Sequence, residues 1–100
     1  MYVYMKVIKR KKDILVASCD DHLLDKTIKE GNLTIKVSSK FYGDKKLHID
    51  DVECINNLKN ATMTNLVGKN IIKKAIDLNI IHKSAIIYIN GIPHAQSIIC

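Results

Sequence analysis

The 100-residue sequence predicts an α+β fold, a two-layer sandwich whose mixed or antiparallel sheet carries about three helices on one face. Three observations predict it. In "NLTIKVS", Leu33, Ile35 and Val37 alternate with Thr34 and Lys36, the period of a strand with one covered and one solvated face. Further on, Val67, Ile71, Ala75 and Leu78 recur at helical spacing, with Lys69, Asn70, Lys73, Lys74 and Asp77 on the opposite side. Asn90-Gly91, placed after the apolar run "AIIYI", is a two-residue hairpin signal, because both residue types tolerate the positive φ of a type I′ turn. The length supports a single domain over residues 1–100.

Taken in order, Tyr2 to Ile8 and Ile14 to Cys19 are β-branched and strand-like, and read as a hairpin with a basic tip at Lys9, Arg10, Lys11 and Lys12. Such a tip blunts a sheet edge and offers cations to phosphate. Asp20 is a good N-cap for a short helix whose buried stripe is Leu23, Leu24, Thr27 and Ile28, with Gly31 as its stop. The strand at Leu33–Val37 follows. "SSKFYGDKKLH" breaks periodicity; Gly43-Asp44 marks a turn and Phe41-Tyr42 anchors the loop to the core. Asp50-x-x-Glu53 has the form of a capping box for a second helix buried through Val52, Ile55 and Leu58. A third helix is expected from about Asn65 to Leu78, with Thr64 as cap. Gly68 falls on its buried side, where glycine costs about 1 kcal/mol relative to alanine, so close approach of a neighbouring backbone is expected there. After the "AIIYI" strand and the Asn90-Gly91 turn, Pro93 lacks a ladder donor, so the returning segment is expected to be an edge strand or irregular.

Composition narrows the function classes. No apolar stretch approaches the roughly 20 residues that span a bilayer, and "MYVYMKVIKRKK" orders its charges wrongly for a secretory signal, so a cytoplasmic protein without membrane contact is expected. Cys19, Cys54 and Cys100 share no CxxC spacing and read as free thiols. Cys19-x-x-His22 has no second pair at ligand spacing, so no metal site or cofactor is expected. The net charge of +6 points to RNA or a ribonucleoprotein as partner, although Arg10 is the one arginine among sixteen basic residues.

No spacing supports catalysis: glycine-rich phosphate loops, HExxH and nucleophile elbows are all missing from the sequence. The paired carboxylates Asp20-Asp21 and Asp50-Asp51 sit at predicted helix starts, where the helix dipole accounts for them. Two polar groups remain. One is the "ATMTNLVG" segment, where Thr62, Thr64 and Asn65 crowd a predicted helix junction; the other is His94 with Gln96, two apart and therefore on one face of a strand.

These two segments, with "FYG" and the earlier Cys19-Asp20, Leu23-Leu24, Lys26 and Glu30-Gly31, resemble an archaeal family known as domain of unknown function 424. The residues that carry the resemblance are Phe41, Tyr42 and Gly43; Ala61, Thr62, Asn65, Leu66, Val67 and Gly68; and Gly91, Pro93, His94, Ala95 and Gln96. Asp44 stands in place of a second glycine of the family's loop. The resemblance implies a small cytosolic archaeal protein with an α+β two-layer fold, and assigns no activity.

Three functions compete. The first is a non-enzymatic module contacting RNA or a ribonucleoprotein, with Lys9, Arg10, Lys11 and Lys12 on phosphate. The second is a protein-interaction subunit or homo-oligomer using the C-terminal edge from Pro93 to Cys100. The third is a small-molecule site or enzyme built from Thr62, Asn65, His94 and Gln96 with Tyr42 at its rim; it requires His94 and Asn65 to converge.

Overall fold

A computed structural model describes residues 1–98 of the chain. Two strands, β1 (Tyr2–Arg10) and β2 (Asp13–Asp20), open it as a hairpin. After one 3-10 turn at Asp21–Leu23 come β3 (Thr27–Glu30) and β4 (Leu33–Lys36), then the one-turn helix α1 (Ser39–Tyr42) and β5 (Lys45–His48). Helix α2 (Val52–Asn60), β6 (Met63–Val67) and α3 (Lys69–Asp77) follow, and a 3-10 turn at Lys83–Ala85 leads into β7 (Ile87–Ile89) and β8 (Ile92–Ile98).

Six strands form one sheet in the order β5-β1-β2-β6-β8-β7, and β3-β4 form a separate two-stranded sheet. The large sheet is mixed: β6 runs parallel to β2 and antiparallel to β8. One face packs Val3, Met5, Val16, Leu66 and Ala95 against Cys54 and Leu58 of α2 and Ile71, Ile72 and Ala75 of α3. Each large apolar side chain buried there contributes about 1.5–3 kcal/mol. The opposite face packs Ala17, Cys19 and Val67 against Leu23, Ile28, Val37 and Tyr42. The α+β class therefore stands, with α2 and α3 on one face and α1 with the small hairpin on the other.

Several local expectations are corrected. The helix expected between Asp20 and Gly31 is a turn followed by β3. Asp25 takes a left-handed φ of 65°, which interrupts any helix, and Gly31 (φ 59°) with Asn32 closes a two-residue hairpin that sets Ile28 opposite Ile35. "MTNLV" is no helix junction but the strand β6, between β2 and β8. The third helix consequently starts at Lys69. Helix α2 is capped by Asp51, whose Oδ1 accepts from the Glu53 amide at 3.1 Å, while Val52 is 69% exposed and Cys54 and Leu58 are the fully buried positions. "SSKFYGDKKLH" hides α1, capped by the Ser38 hydroxyl, and the strand β5.

Pro93 does not lie on an edge either: β8 is flanked by β6 and β7. The strand tolerates it for a specific reason. Pro93 O accepts from the Gly68 amide at 2.9 Å, and the N–H that an ordinary residue would return is not needed. Gly68 O accepts instead from Ile72 N at 3.1 Å, in the first turn of α3. The Asn90-Gly91 turn has φ values of 51° and 79°, as a type I′ turn requires. Of the C-terminal edge expected from Pro93 to Cys100, Ile98 closes β8 and is 71% exposed, while Ile99 and Cys100 lie outside the described residues.

Gly68 is the pivot between β6 and α3. Its φ is 122°, and a Cβ there would lie 2.4 Å from Cγ of Asp20. The neighbour that approaches it is thus a carboxylate, not a backbone. Asp20 is 1% exposed, and its two oxygens accept from the amides of Asn70 and Ile71, each at 2.9 Å. It caps a helix, as the sequence suggests, but α3 rather than the segment that follows it.

Burial raises the Asp20 pKa above the ordinary carboxylate value, and the two amide donors only partly offset this. A carboxyl raised on folding binds more protons in the native than in the unfolded state. Its contribution is complete below the unfolded pKa and is lost as pH rises through the folded value. Urea unfolding followed from below the aspartate range upward should therefore show stability falling across that window. The fall should be absent from Asp20→Asn; a wild-type profile that matches the variant's would contradict the assignment.

Candidate functional site

The small hairpin and α1 cover only part of their face of the sheet. Strand register defines what the remainder displays. Lys6, Ala17, Asn65 and Gln96 form one row across β1, β2, β6 and β8, and Ile8, Leu15, Met63 and Ile98 form the next. Ala17 is buried, but Ile8, Leu15, Met63 and Asn65 are half-buried and Gln96 and Ile98 exposed. This open half of the sheet ends at the basic tip, where Arg10, Lys11 and Lys12 are exposed. Arg10 and Asp13 border a hollow of about 290 Å³ floored by Ile8, Leu15 and Met63.

At the boundary between the covered and open halves, three sequence-predicted residues meet. His94 Nε2 lies 3.1 Å from Asn65 Oδ1, and the Tyr42 hydroxyl donates to the same oxygen at 2.6 Å. Each is placed by a different element. Asn65 comes from β6 and His94 from β8, diagonally across the ladder, since His94 pairs with Val67 and Asn65 with Gln96. Tyr42 ends α1, where the Ser38 cap and an edge-to-face contact with Phe41 (4.8 Å between ring centroids) fix it. Lys6 Nζ donates to Lys40 O at 2.9 Å and ties α1 to β1.

Protonation follows from burial. Tyr42 is pushed up to about 12, so its hydroxyl stays a donor. Burial lowers the His94 pKa, so the imidazole is neutral at neutral pH. With Oδ1 of Asn65 accepting from both sides, Nε2 carries the imidazole proton and Nδ1 is left as an acceptor. His94 lines a shallow hollow of about 210 Å³ with Ala85, Ile87 and Gln96. Cys19, on the same face, is buried and pushed up to about 12, first by burial and then by Asp20, which keeps it a neutral thiol. Among the described residues, no group of three or more His, Cys, Asp and Glu is arranged to hold a metal ion. The set is a rigid arrangement of hydrogen-bonding groups, with one imidazole acceptor and no charged partner.

The other predicted residues fall elsewhere. Gln96 sits beside Asn65 on the same face, within reach of the site. Thr62 does not join it: its hydroxyl accepts from Ile14 N at 2.8 Å and latches the start of β2 to β6. Lys9, Arg10, Lys11 and Lys12 form the end of β1 and the adjoining turn, away from His94. Lys6, Ile8, Leu15, Met63 and Ile98 escape a sequence reading that lacks β6. Once β6 is a strand, their alternation places them on one face.

An Asn65→Asp variant tests the geometry. A carboxylate 3.1 Å from Nε2 favours the imidazolium, so the His94 midpoint, followed by NMR titration, should rise by at least about 1 pH unit. An unmoved midpoint would mean that the two side chains do not touch.

No curated protein matches the chain. A solved structure, the crystal structure of an uncharacterized conserved protein from Methanopyrus kandleri, superimposes with a TM-score of 0.83. That match covers 99% of this chain and 92% of the other at 21% identity, which shows a shared fold. A family model described as protein of unknown function (DUF424) matches residues 8–99, a span that includes β2, β6, β8 and all three residues of the Tyr42–Asn65–His94 set, and the chain belongs to that family.

Proposed function

We propose that this chain is a non-enzymatic binding module that contacts RNA, or RNA within a ribonucleoprotein, through the open half of its six-stranded sheet. The observation that carries the reading is the pair of rows left uncovered beside α1. Gln96 and the remaining donors of Lys6 and Asn65, with His94 Nδ1 one row behind, offer hydrogen bonds to base edges, and Ile8, Leu15 and Met63 offer an apolar floor. Arg10, Lys11 and Lys12 stand at the end of that floor, where a phosphate backbone would pass. Aromatic side chains, the usual base-stacking platforms, are few in this chain, so the contact expected is electrostatic and weakly sequence-selective.

Catalysis is the lesser reading. The Tyr42–Asn65–His94 contacts favour a small-molecule site, but the hollow beside His94 measures about 210 Å³, below the roughly 300–1,000 Å³ of ordinary ligand pockets. A protein-interaction role at the C-terminal edge would now fall on β7, where Ile87 and Tyr88 are exposed.

Fluorescence anisotropy with a labelled single-stranded RNA decides the matter. Binding at low salt should weaken steeply as salt rises, and the triple variant R10E/K11E/K12E should weaken it by at least about tenfold. Undetectable binding at low salt, or binding indifferent to salt, would remove the proposal.

A further inference from the structure

The rim strand β5 is shorter than its neighbour. It pairs with β1 only along Tyr2–Met5, whereas β1 continues to Arg10. Which backbone groups point outward beyond Met5 follows from the hairpin. Arg10 pairs with Asp13 across the two-residue turn, the hydrogen-bonded closing pair. Lys9 pairs with Ile14, whose N–H and C=O both turn the other way, onto Thr62: the amide to Oγ1 at 2.8 Å and the carbonyl to the Thr62 amide at 2.9 Å. Lys9 and, by the same alternation, Val7 therefore direct their own N–H and C=O away from β2. Among the described residues, nothing pairs with them there.

A cleft of about 450 Å³ lies beside this stretch on the α2 face, floored by Met5, Val7 and Leu47 and bordered by Lys9, Asp44, Asn57 and the Lys45–Glu53 ion pair (2.7 Å). We propose that the open stretch of β1 from Val7 to Arg10 is a strand-addition site for an extended acidic segment of a partner protein. Main-chain groups of Val7 and Lys9 would pair with the added strand, and an apolar side chain opposite Val7 would enter the cleft.

Charge selects the occupant. The strand reads Lys6-Val7-Ile8-Lys9-Arg10 and runs into Lys11-Lys12; of the two carboxylates bordering the cleft, Glu53 is held by Lys45, and Asp44 lies just before β5, beside the Val7 end, where the partner's side chains are apolar. A second copy of the same edge would set like charges opposite each other, the usual protection against self-pairing. An antiparallel strand reading Glu-Glu-Val-Val would instead place carboxylates opposite Arg10 and Lys9 and apolar groups opposite Ile8 and Val7. The site shares Ile8 and Arg10 with the rim of the open face proposed for RNA but uses the main-chain edge at Val7 and Lys9, and its peptide test does not depend on that reading.

The probe is a fluorescein-labelled octapeptide with Glu-Glu-Val-Val at its centre and Gly-Ser flanks. Its binding should be saturable and weaken as salt rises, and the Val7 and Lys9 amides should gain protection from hydrogen exchange. Lys9→Pro removes an N–H that the fold does not use and should weaken binding at least about tenfold. If that variant fails to fold, a peptide with proline in place of its second valine, tested on the unaltered protein, should lose binding instead. Absence of saturable binding, equal binding of the proline peptide, or protection confined to other strands would overturn the proposal.

Discussion

The rest of the structure depends on one buried contact, the Asp20 carboxylate seated on the first turn of α3 beneath Gly68. Asp20 ends β2, and Asn70 and Ile71 open the helix that leaves β6, so the contact joins the two parallel strands at the same end. It requires a residue without a Cβ at the strand-to-helix corner, since the carboxylate occupies that space. It also offsets part of the cost of burying that carboxylate, which meets two oriented amides at the positive end of a helix. Pro93 completes the corner by accepting from the Gly68 amide while leaving the Gly68 carbonyl to the helix.

With that corner fixed, the site follows from register. β6 places Asn65 between Ala17 and Gln96, one step from His94, and α1 brings Tyr42 over the same oxygen. Because Asn65 Oδ1 accepts twice, it ties β6 to β8 through His94 and to α1 through Tyr42. The covered half of the face thus supplies rigidity and the open half supplies surface.

Much of the fold is legible in the sequence where one local rule acts alone. Asn90-Gly91 adopts the left-handed pair that its residue types favour, the Tyr2–Cys19 hairpin forms from its β-branched runs, and Tyr42 anchors its loop. The failures occur where two rules compete. Leu23, Leu24 and Ile28 lie at helical spacing, yet Asp25 and Gly31 adopt positive φ and the segment folds as a turn and hairpin. In β6, Leu66 and Val67 face opposite layers, so both are apolar, and the run merges by periodicity with the helix behind Gly68. That merger hides the strand carrying Asn65, so the sequence leaves open whether Asn65 and His94 converge, and the β6–β8 pairing supplies their contact. Pro93 misleads for a tertiary reason: the missing donor is tolerated because a helix uses the acceptor it would have met.

The most direct test of the central contact is a double-mutant cycle on Asp20 and Gly68. Gly68→Ala introduces a methyl group into the space of the Asp20 carboxylate, and Asp20→Ala removes that carboxylate. The positive-φ strain of alanine at residue 68 is present in both backgrounds and cancels. Measured by urea unfolding, Gly68→Ala should cost at least about 1 kcal/mol less in the Asp20→Ala background than in the native one. Costs that add within about 0.5 kcal/mol would show that the two residues do not share that space and would contradict the account.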